Sequence, residues 1–145
     1  LQHCGFYVGV VNSKNEEVAV EGFLKEQQAN VRDSCDLVIK DVFGALQNKN
    51  ITSAQFDTST VYLTVITECI YLPDPILWNE QKDGVYFQWG QKYRGLYLPW
   101  QVKKMNMPKV DVLDRLCSYQ CSIPSSLWRY PEGMVYAIKC LPNSS

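Results

Sequence analysis

Six cysteines, one histidine and a band of aromatic residues around a single arginine are the side chains of this 145-residue chain best suited to chemistry. The cysteines are Cys4, Cys35, Cys69, Cys117, Cys121 and Cys140. Their even number, with the sequons Asn50-Ile51-Thr52 and Asn143-Ser144-Ser145, would suit a secreted, disulfide-bonded domain. Cys35, however, continues a helical apolar stripe and Cys69 lies in an apolar strand. A free thiol packs at such positions as a small hydrophobe, so reduced thiols in a cytoplasmic or nuclear protein are the expectation. No Cys-x-x-Cys occurs and His3 is the only histidine, so no zinc-type ligand set is present in the pattern and no metal is expected.

Nucleophilic catalysis needs a base within hydrogen-bond reach of the nucleophile, and a lone histidine near the start of the chain is poorly placed to serve. Cys117 is the strongest thiol candidate. It falls late in a helical pattern, where the helix dipole does not favour a thiolate. The carboxylate pairs Glu16–Glu17 and Asp111–Asp114 read as turn and helix-surface charges. Neither a P-loop nor a dinucleotide-binding glycine pattern occurs. No catalytic residue and no cofactor are expected; whether the protein is an enzyme stays open, with the balance of residues leaning against it.

Binding is better supported. Trp78, Tyr86, Trp89, Tyr93, Tyr97 and Trp100 fall close together, with Arg94 and Gln101 beside them. Aromatic residues and arginine dominate interface hot spots. Strand alternation puts Arg94 and Leu96 on one face and Tyr93, Gly95 and Tyr97 on the other, and one of these faces should be wet. Trp100, directly after Pro99, is expected to be partly exposed. A groove beside Arg94–Val102, meeting Gly22 from an earlier hairpin, is the candidate site. Its ligand- or partner-binding residues are Gly22, Trp78, Arg94, Pro99, Trp100 and Gln101. Core packing beneath a sheet is the competing reading of the aromatics.

The elements that must position these residues follow from periodicity. Gly5–Val11 is β-branched and aromatic and reads as a strand, Asn12–Asn15 as a turn, and Glu17–Glu21 as a returning strand that Gly22 breaks. Val31, Cys35, Val38, Ile39, Val42 and Leu46 recur at three- and four-residue steps and predict one helix face, with Asn30 as N-cap and Asn48–Asn50 as stop. Thr60–Leu72 is apolar on both faces, the pattern of a central strand covered on both sides. A hairpin is expected from Val85–Trp89 and Lys92–Leu98 across Gly90-Gln91, closed by Pro99. A helix over 110–120 with Leu113, Leu116 and Cys117 inside, a helical turn near Pro124–Trp128 and a last strand over Met134–Cys140 complete the series. Together they predict a single α+β domain over 1–145: a largely antiparallel β-sheet with flanking helices.

Net charge −1 and pI near 5.8, with no Lys/Arg run beyond two residues, argue against a nucleic-acid partner. Lys82, Lys92, Arg94, Lys103 and Lys104 read as a solvated face. No apolar run approaches the ~20 residues that span a bilayer, and no signal peptide is evident, so no membrane association is expected. The expected partner is an unidentified protein or small molecule.

The order of several short stretches resembles the AMMECR-one family. Tyr93-Arg94-Gly95-Leu96-Tyr97-Leu98-Pro99-Trp100-Gln101-Val102 is similar to its GLLLPQV stretch, with Trp100 inserted between Pro and Gln. Leu116-Cys117 to Pro124, and then Trp128, resembles its LCxKAGLP…W helix end. Pro73-Asp74-Pro75-Ile76 is similar to its PEPI. Leu77-Trp78 and Asp83-Gly84-Val85 resemble the LDW…HGI of its eukaryotic branch, and Gly5-Phe6-Tyr7-Val8 its GVFV strand. The resemblance covers most of the chain in order and implies a sheet flanked by helices. The family helix that precedes GVFV has no counterpart in the sequence, which implies a short or trimmed member. Glu17-Val18-Ala19-Val20-Glu21-Gly22 stands where the family has LRGCIG and keeps only the glycine, so no role of that family cysteine carries over. The family has no established activity to lend. Its genomic association with Memo-like and radical-SAM proteins implies the alternative of a thiol- or radical-associated modification enzyme acting through Cys117 or Cys4.

Overall fold

The computed structural model describes residues 5–24 and 31–141, and the Asn30 cap, His3 and Cys4 lie outside them. Its fold is α+β, with six strands in the hydrogen-bonded order β2-β1-β3-β6-β4-β5 and helices packed on the sheet. Two compact units divide the chain between Ile66 and Thr67, inside the third strand.

The first unit holds β1 (Gly5–Val11), β2 (Glu17–Leu24), α1 (Val31–Asn48), α2 (Ser53–Asp57) and the first half of β3 (Thr60–Leu72). Asn12 closes the β1–β2 hairpin, because its side-chain oxygen accepts from the Lys14 and Glu16 amides at 3.0 and 2.9 Å while Asn15 takes the left-handed turn position. β1 lies between β2 and β3, antiparallel to both. Val8 and Val10 on β1 bury against Val38, Val42 and Leu46 of α1, with Ala19 of β2 completing the cluster. Each such valine or leucine contributes roughly 1.5–3 kcal/mol on burial. α1 ends as its composition suggests: Asn50 turns left-handed and the Ile51 amide donates to the Leu46 carbonyl at 3.0 Å. The irregularity in the β1–β2 pairing leaves the Val18 carbonyl to the Lys49 ammonium, which blunts that end of the edge strand.

Three expectations change in this unit. Gly22 does not break β2; the strand runs on to Leu24 with Gly22 paired to Tyr7. The glycine is needed because the Tyr7 ring lies over it: a Cβ there would sit 2.3 Å from Tyr7 Cδ2 and 2.4 Å from the Phe6 carbonyl oxygen. β3 is central but not covered on both sides, since Val61, Leu63, Cys69, Ile70 and Tyr71 are exposed. Ile39, placed on the inner face of α1 by its spacing, is also exposed. α2 was not anticipated, although Thr52 and Gln55 carry a capping box: the Gln55 amide donates to Thr52 Oγ1 at 3.1 Å and the Thr52 amide to Gln55 Oε1 at 2.8 Å.

The second unit holds the rest of β3, β4 (Gly84–Trp89), β5 (Tyr93–Tyr97), α3 (Pro99–Met105), α4 (Lys109–Arg115) continued by a π-helical turn (Leu116–Gln120), a 3₁₀ turn (Leu127–Arg129) and β6 (Gly133–Cys140). β4 pairs antiparallel with β5 on one side and β6 on the other. Val85, Phe87, Tyr97, Val135 and Ala137 of the sheet bury against Val102, Val112, Leu113, Leu116, Cys117 and Trp128. No described helix is long and apolar enough to cross a membrane.

Replacing Gly22 by alanine should destabilise the chain by about 1–3 kcal/mol, because one of the two close contacts is backbone and cannot give way. Urea denaturation of the two proteins measures it. An unchanged midpoint would show that β2 and Tyr7 are free to separate.

Candidate functional site

The second hairpin is positioned from three sides. At its entry, the Asn79–Asp83 turn buries the Asp83 carboxylate, which is only 3% exposed. That carboxylate accepts from the Asn79 amide at 2.9 Å and from Lys139 Nζ on β6 at 2.9 and 3.0 Å. A buried carboxylate needs such partners, and Lys139 therefore ties the start of β4 to the end of β6. Next to Asp83, a Cβ on Gly84 would meet the Tyr97 carbonyl oxygen at 2.5 Å, so β4 and β5 approach closely there.

At its exit, β5 passes directly into α3, a helix the sequence reading did not include. Pro99 takes the first helical position, where a missing amide N–H costs nothing. The Leu98 amide donates to Gln101 Oε1 at 2.8 Å, a buried hydrogen bond that satisfies a helix-start donor. From beneath, the π-helical turn packs on β5. A Cβ on Gly95 would lie 2.8 Å from Gln120 Cβ, 3.0 Å from Leu116 Cδ1 and 3.2 Å from Cys121 Sγ. The turn is locked by Trp128, whose indole N–H donates to Asp114 Oδ1 at 2.8 Å and whose ring carries the Arg129 guanidinium at 4.2 Å.

This geometry sorts the six site residues. Trp78, Trp100 and Gln101 are buried, Pro99 is half-buried, and Arg94 and Gly22 are exposed. Trp100, expected to be partly exposed, is 9% exposed, because α3 starts at Pro99 and sets it among the helix's buried residues. Gly22 belongs to the first unit and the other five to the second. Trp78 is 1% exposed and its indole N–H finds no hydrogen-bond partner among the described residues, an arrangement that costs about 1–3 kcal/mol and is tolerated for the volume the ring fills.

The wet face of the hairpin is the one carrying Arg94. Arg94 stands opposite Gln88, and Gln88 opposite Met134; Leu96 stands opposite Tyr86, and Tyr86 opposite Tyr136. The Tyr86 and Tyr136 rings are 5.6 Å apart, and Tyr71 of β3 meets Tyr136 edge-on at 5.6 Å. Tyr86 Oη donates to Gln88 Oε1 at 3.3 Å, and Gln88 Nε2 to the Gly90 carbonyl at 2.9 Å. Partial burial pushes the Tyr86 hydroxyl upward, while the nearby Arg94 charge pulls it down. Tyr71, Tyr86 and Tyr136 were not assembled by sequence because β3 and β6 are far apart along the chain. Of the three, only Tyr86 falls within the hairpin pattern; the strand order that brings Tyr71 and Tyr136 to it carries no local signal in the sequence.

No disulfide joins the described cysteines, Cys35, Cys69, Cys117, Cys121 and Cys140. Cys69, expected in the core, is exposed, since its side of β3 carries no cover there. Burial pushes Cys117 up to about 11, against a hydrogen bond with the Trp128 backbone that lowers it. Burial pushes Cys140 up to about 12, with the Asp83 carboxylate and Cys69 adding to the effect. Cys35 and Cys121 are raised as well, by burial first. These four thiols are protonated at neutral pH, the opposite of what a nucleophile requires. Among the described residues no three His, Cys, Asp or Glu side chains converge as a metal site.

A helix-flanked antiparallel sheet with an open aromatic face is the class of protein that the fold and this surface define. Neither the scan of protein-family models nor the search of curated proteins finds a match. Among solved structures, the chain is similar to the uncharacterized protein PH0010 from Pyrococcus horikoshii, with a TM-score of 0.68 over 96% of this chain and 72% of that one. At 16% identity the likeness establishes a shared fold.

The raised thiols give stability a pH dependence of definite sign. A thiol held protonated in the native state stabilises it fully below the ordinary value of 9.0, and this is lost as pH rises through the native values of about 11 and about 12. Unfolding free energy measured by urea titration should therefore decline from pH 9 upward. A Cys117→Ala, Cys140→Ala double variant should show a shallower decline. Equal slopes would mean these thiols ionise as freely in the native state as in the unfolded one. A second measurement concerns the helix start: Gln101→Ala should lower stability by about 1–3 kcal/mol by leaving the Leu98 amide buried and unpaired. Thermal unfolding followed by circular dichroism checks it.

Proposed function

We propose that this chain is a binding module of the AMMECR-one type, one domain over 1–145, which recognises its partner through the open face of the second hairpin. The observation that carries the reading is the exposed Arg94 beside the half-buried Tyr86 and Tyr136, on the face opposite the buried Val85, Phe87, Gly95 and Tyr97 of the same hairpin. Arg94 supplies a planar, permanently charged donor set. The tyrosines supply rigid contact area at small entropy cost. The chemistry they fit best is an acidic group joined to an aromatic ring, whether on a protein side chain or in a small molecule. Trp78, Pro99, Trp100 and Gln101 act in this reading as the frame that fixes the hairpin, and Gly22 shapes β2 in the first unit. The described thiols, joined by no disulfide, favour a cytoplasmic or nuclear setting. Their raised values weigh against the thiol- or radical-associated enzyme that the family resemblance would otherwise suggest.

The probe is benzoate, with benzamide as its uncharged counterpart, titrated into the isotope-labelled chain and followed by amide chemical shifts. Benzoate should shift Gln88, Arg94 and Leu96 and their β6 neighbours, more strongly than benzamide. Arg94→Ala should remove the difference between the two while leaving the fold intact, because Arg94 is exposed. Shifts confined to other surfaces, or an Arg94→Ala variant that still prefers benzoate, would refute the site.

A further inference from the structure

The first unit carries a second surface that the hairpin reading does not use. Beside α1 there is an open cavity of about 170 Å³ lined only by apolar side chains, among them Val10, Ile39, Phe43, Phe56, Val61 and Leu63. Its floor is the sheet: Val10 and Val61 are register partners, as are Val8 and Leu63. One wall is the flank of α1, where Ile39 and Phe43 follow one turn apart. The end wall is Phe56 of α2, whose ring lies 6.5 Å from that of Phe43.

These residues are not an ordinary scatter of surface hydrophobes. Phe43 is 55% exposed and Leu63 58%, with Ile39 and Val61 exposed beside them, so the apolar rim is contiguous with the apolar interior. Such a contiguous patch is what marks an interaction surface. The sequence also points to a missing cover: the first half of β3 has the two-sided apolar pattern of a strand packed on both faces, and α1 reaches only as far as the β1 side of it. The volume holds one or two large side chains, comparable to an apolar cavity of roughly 150 Å³ that accepts a benzene-sized group.

Charge narrows the occupant. Residues 1–66 hold eight Asp/Glu and five Lys/Arg, a net −3, while residues 67–142 hold seven and nine. By helical spacing the exposed Asp36 shares the α1 flank of Ile39 and Phe43, with Lys40 at its edge, and the exposed Asp57 follows Phe56 on α2. We propose that this cleft is a docking site for a basic amphipathic helix of a partner protein. Its apolar ridge enters between α1 and β3, and its flanking lysines or arginines meet Asp36 and Asp57. Such a helix takes the place beside α1 that a second sheet-covering helix would fill, anchored by large residues at three- and four-residue spacing.

The test uses the whole chain and three synthetic helices of about 18 residues, long enough to fold on docking. Each carries leucine at helical spacing; the polar positions are lysine in one, glutamate in the second and glutamine in the third. Binding is read by fluorescence anisotropy at two salt concentrations, and its place by amide shifts. The lysine helix should bind best, weaken with salt, and shift α1, α2 and the start of β3. Phe43→Ser and Leu63→Ser should each weaken it by about tenfold, the effect of losing a central anchor, while Leu77→Ser, an exposed leucine of the second unit, should not. Asp36→Asn with Asp57→Asn should remove most of the advantage over the glutamine helix. Circular dichroism confirms that each variant is folded. Equal binding of the glutamate helix, indifference to Phe43→Ser and Leu63→Ser, or no binding at millimolar peptide would each overturn the proposal. So would sedimentation showing that the chain buries Phe43 and Leu63 in a self-association, since a second copy would then be the occupant.

Discussion

The second unit depends on how closely β5 and the π-helical turn approach each other, and that distance is fixed by Gly95. Any side chain there would meet Gln120, Leu116 and Cys121 inside ordinary contact distance. The turn reaches this position because its hydrogen bonds are widened: the Cys121 amide donates to the Leu116 carbonyl at 3.2 Å and the Ile123 amide to the Cys117 carbonyl at 3.1 Å. With the turn seated, Leu116 and Cys117 are fully buried, and Trp128 closes the end of α4 through Asp114. The hairpin and the helix after it thus share one core, and the same strands carry the outer face of the hairpin.

The two units solve the problem of covering a sheet to different extents. In the second, the inner residues of β4, β5 and β6 all find partners on α3, α4 and the turns. In the first, α1 satisfies β1 and β2, but the outer residues of β3 and the flank of α1 retain apolar surface. A strand with β-branched residues on both sides is stable there because its backbone pairs fully with β1; side-chain cover is a separate requirement that pairing does not meet.

Periodicity carried most of the architecture. β1 and β3 fall on the expected residues, α1 stops at the asparagines, and the helix over 110–120 buries Leu113, Leu116 and Cys117. What periodicity missed were short elements whose signal is in their ends. α2 rests on the Thr52–Gln55 capping box and α3 on Pro99 with Gln101, and neither is long enough for a repeating stripe. Gly22 illustrates the reverse: a glycine in a strand pattern reads as a breaker, whereas here it makes room for the Tyr7 ring across the strand. The site was legible in part. Alternation separated Arg94 from Tyr97, but it could not say that Pro99 starts a helix in which Trp100 is buried. Nor could it bring Tyr71 and Tyr136 to Tyr86, since that requires the strand order.

The distribution of polar and aromatic groups between interior and surface bears on function more directly than their identities do. Trp78, Trp100, Gln101, Asp83 and Cys117 are the residues that a motif-based reading would select for chemistry, and each is committed to holding the second unit together. Burial raises the thiol of Cys117 and so removes its nucleophile, and Asp83 is occupied by Lys139 and the Asn79 amide. Groups that are fixed in place by such a frame yet not consumed by it are the ones free to act on a partner. On the hairpin these are Arg94 and the tyrosines of the open face. Arg94, Tyr86 and Tyr136 stand on strands whose other face carries the buried Val85, Phe87, Tyr97, Val135 and Ala137. A pre-formed surface loses little entropy on binding, which is the physical ground for the proposal that this face recognises a partner.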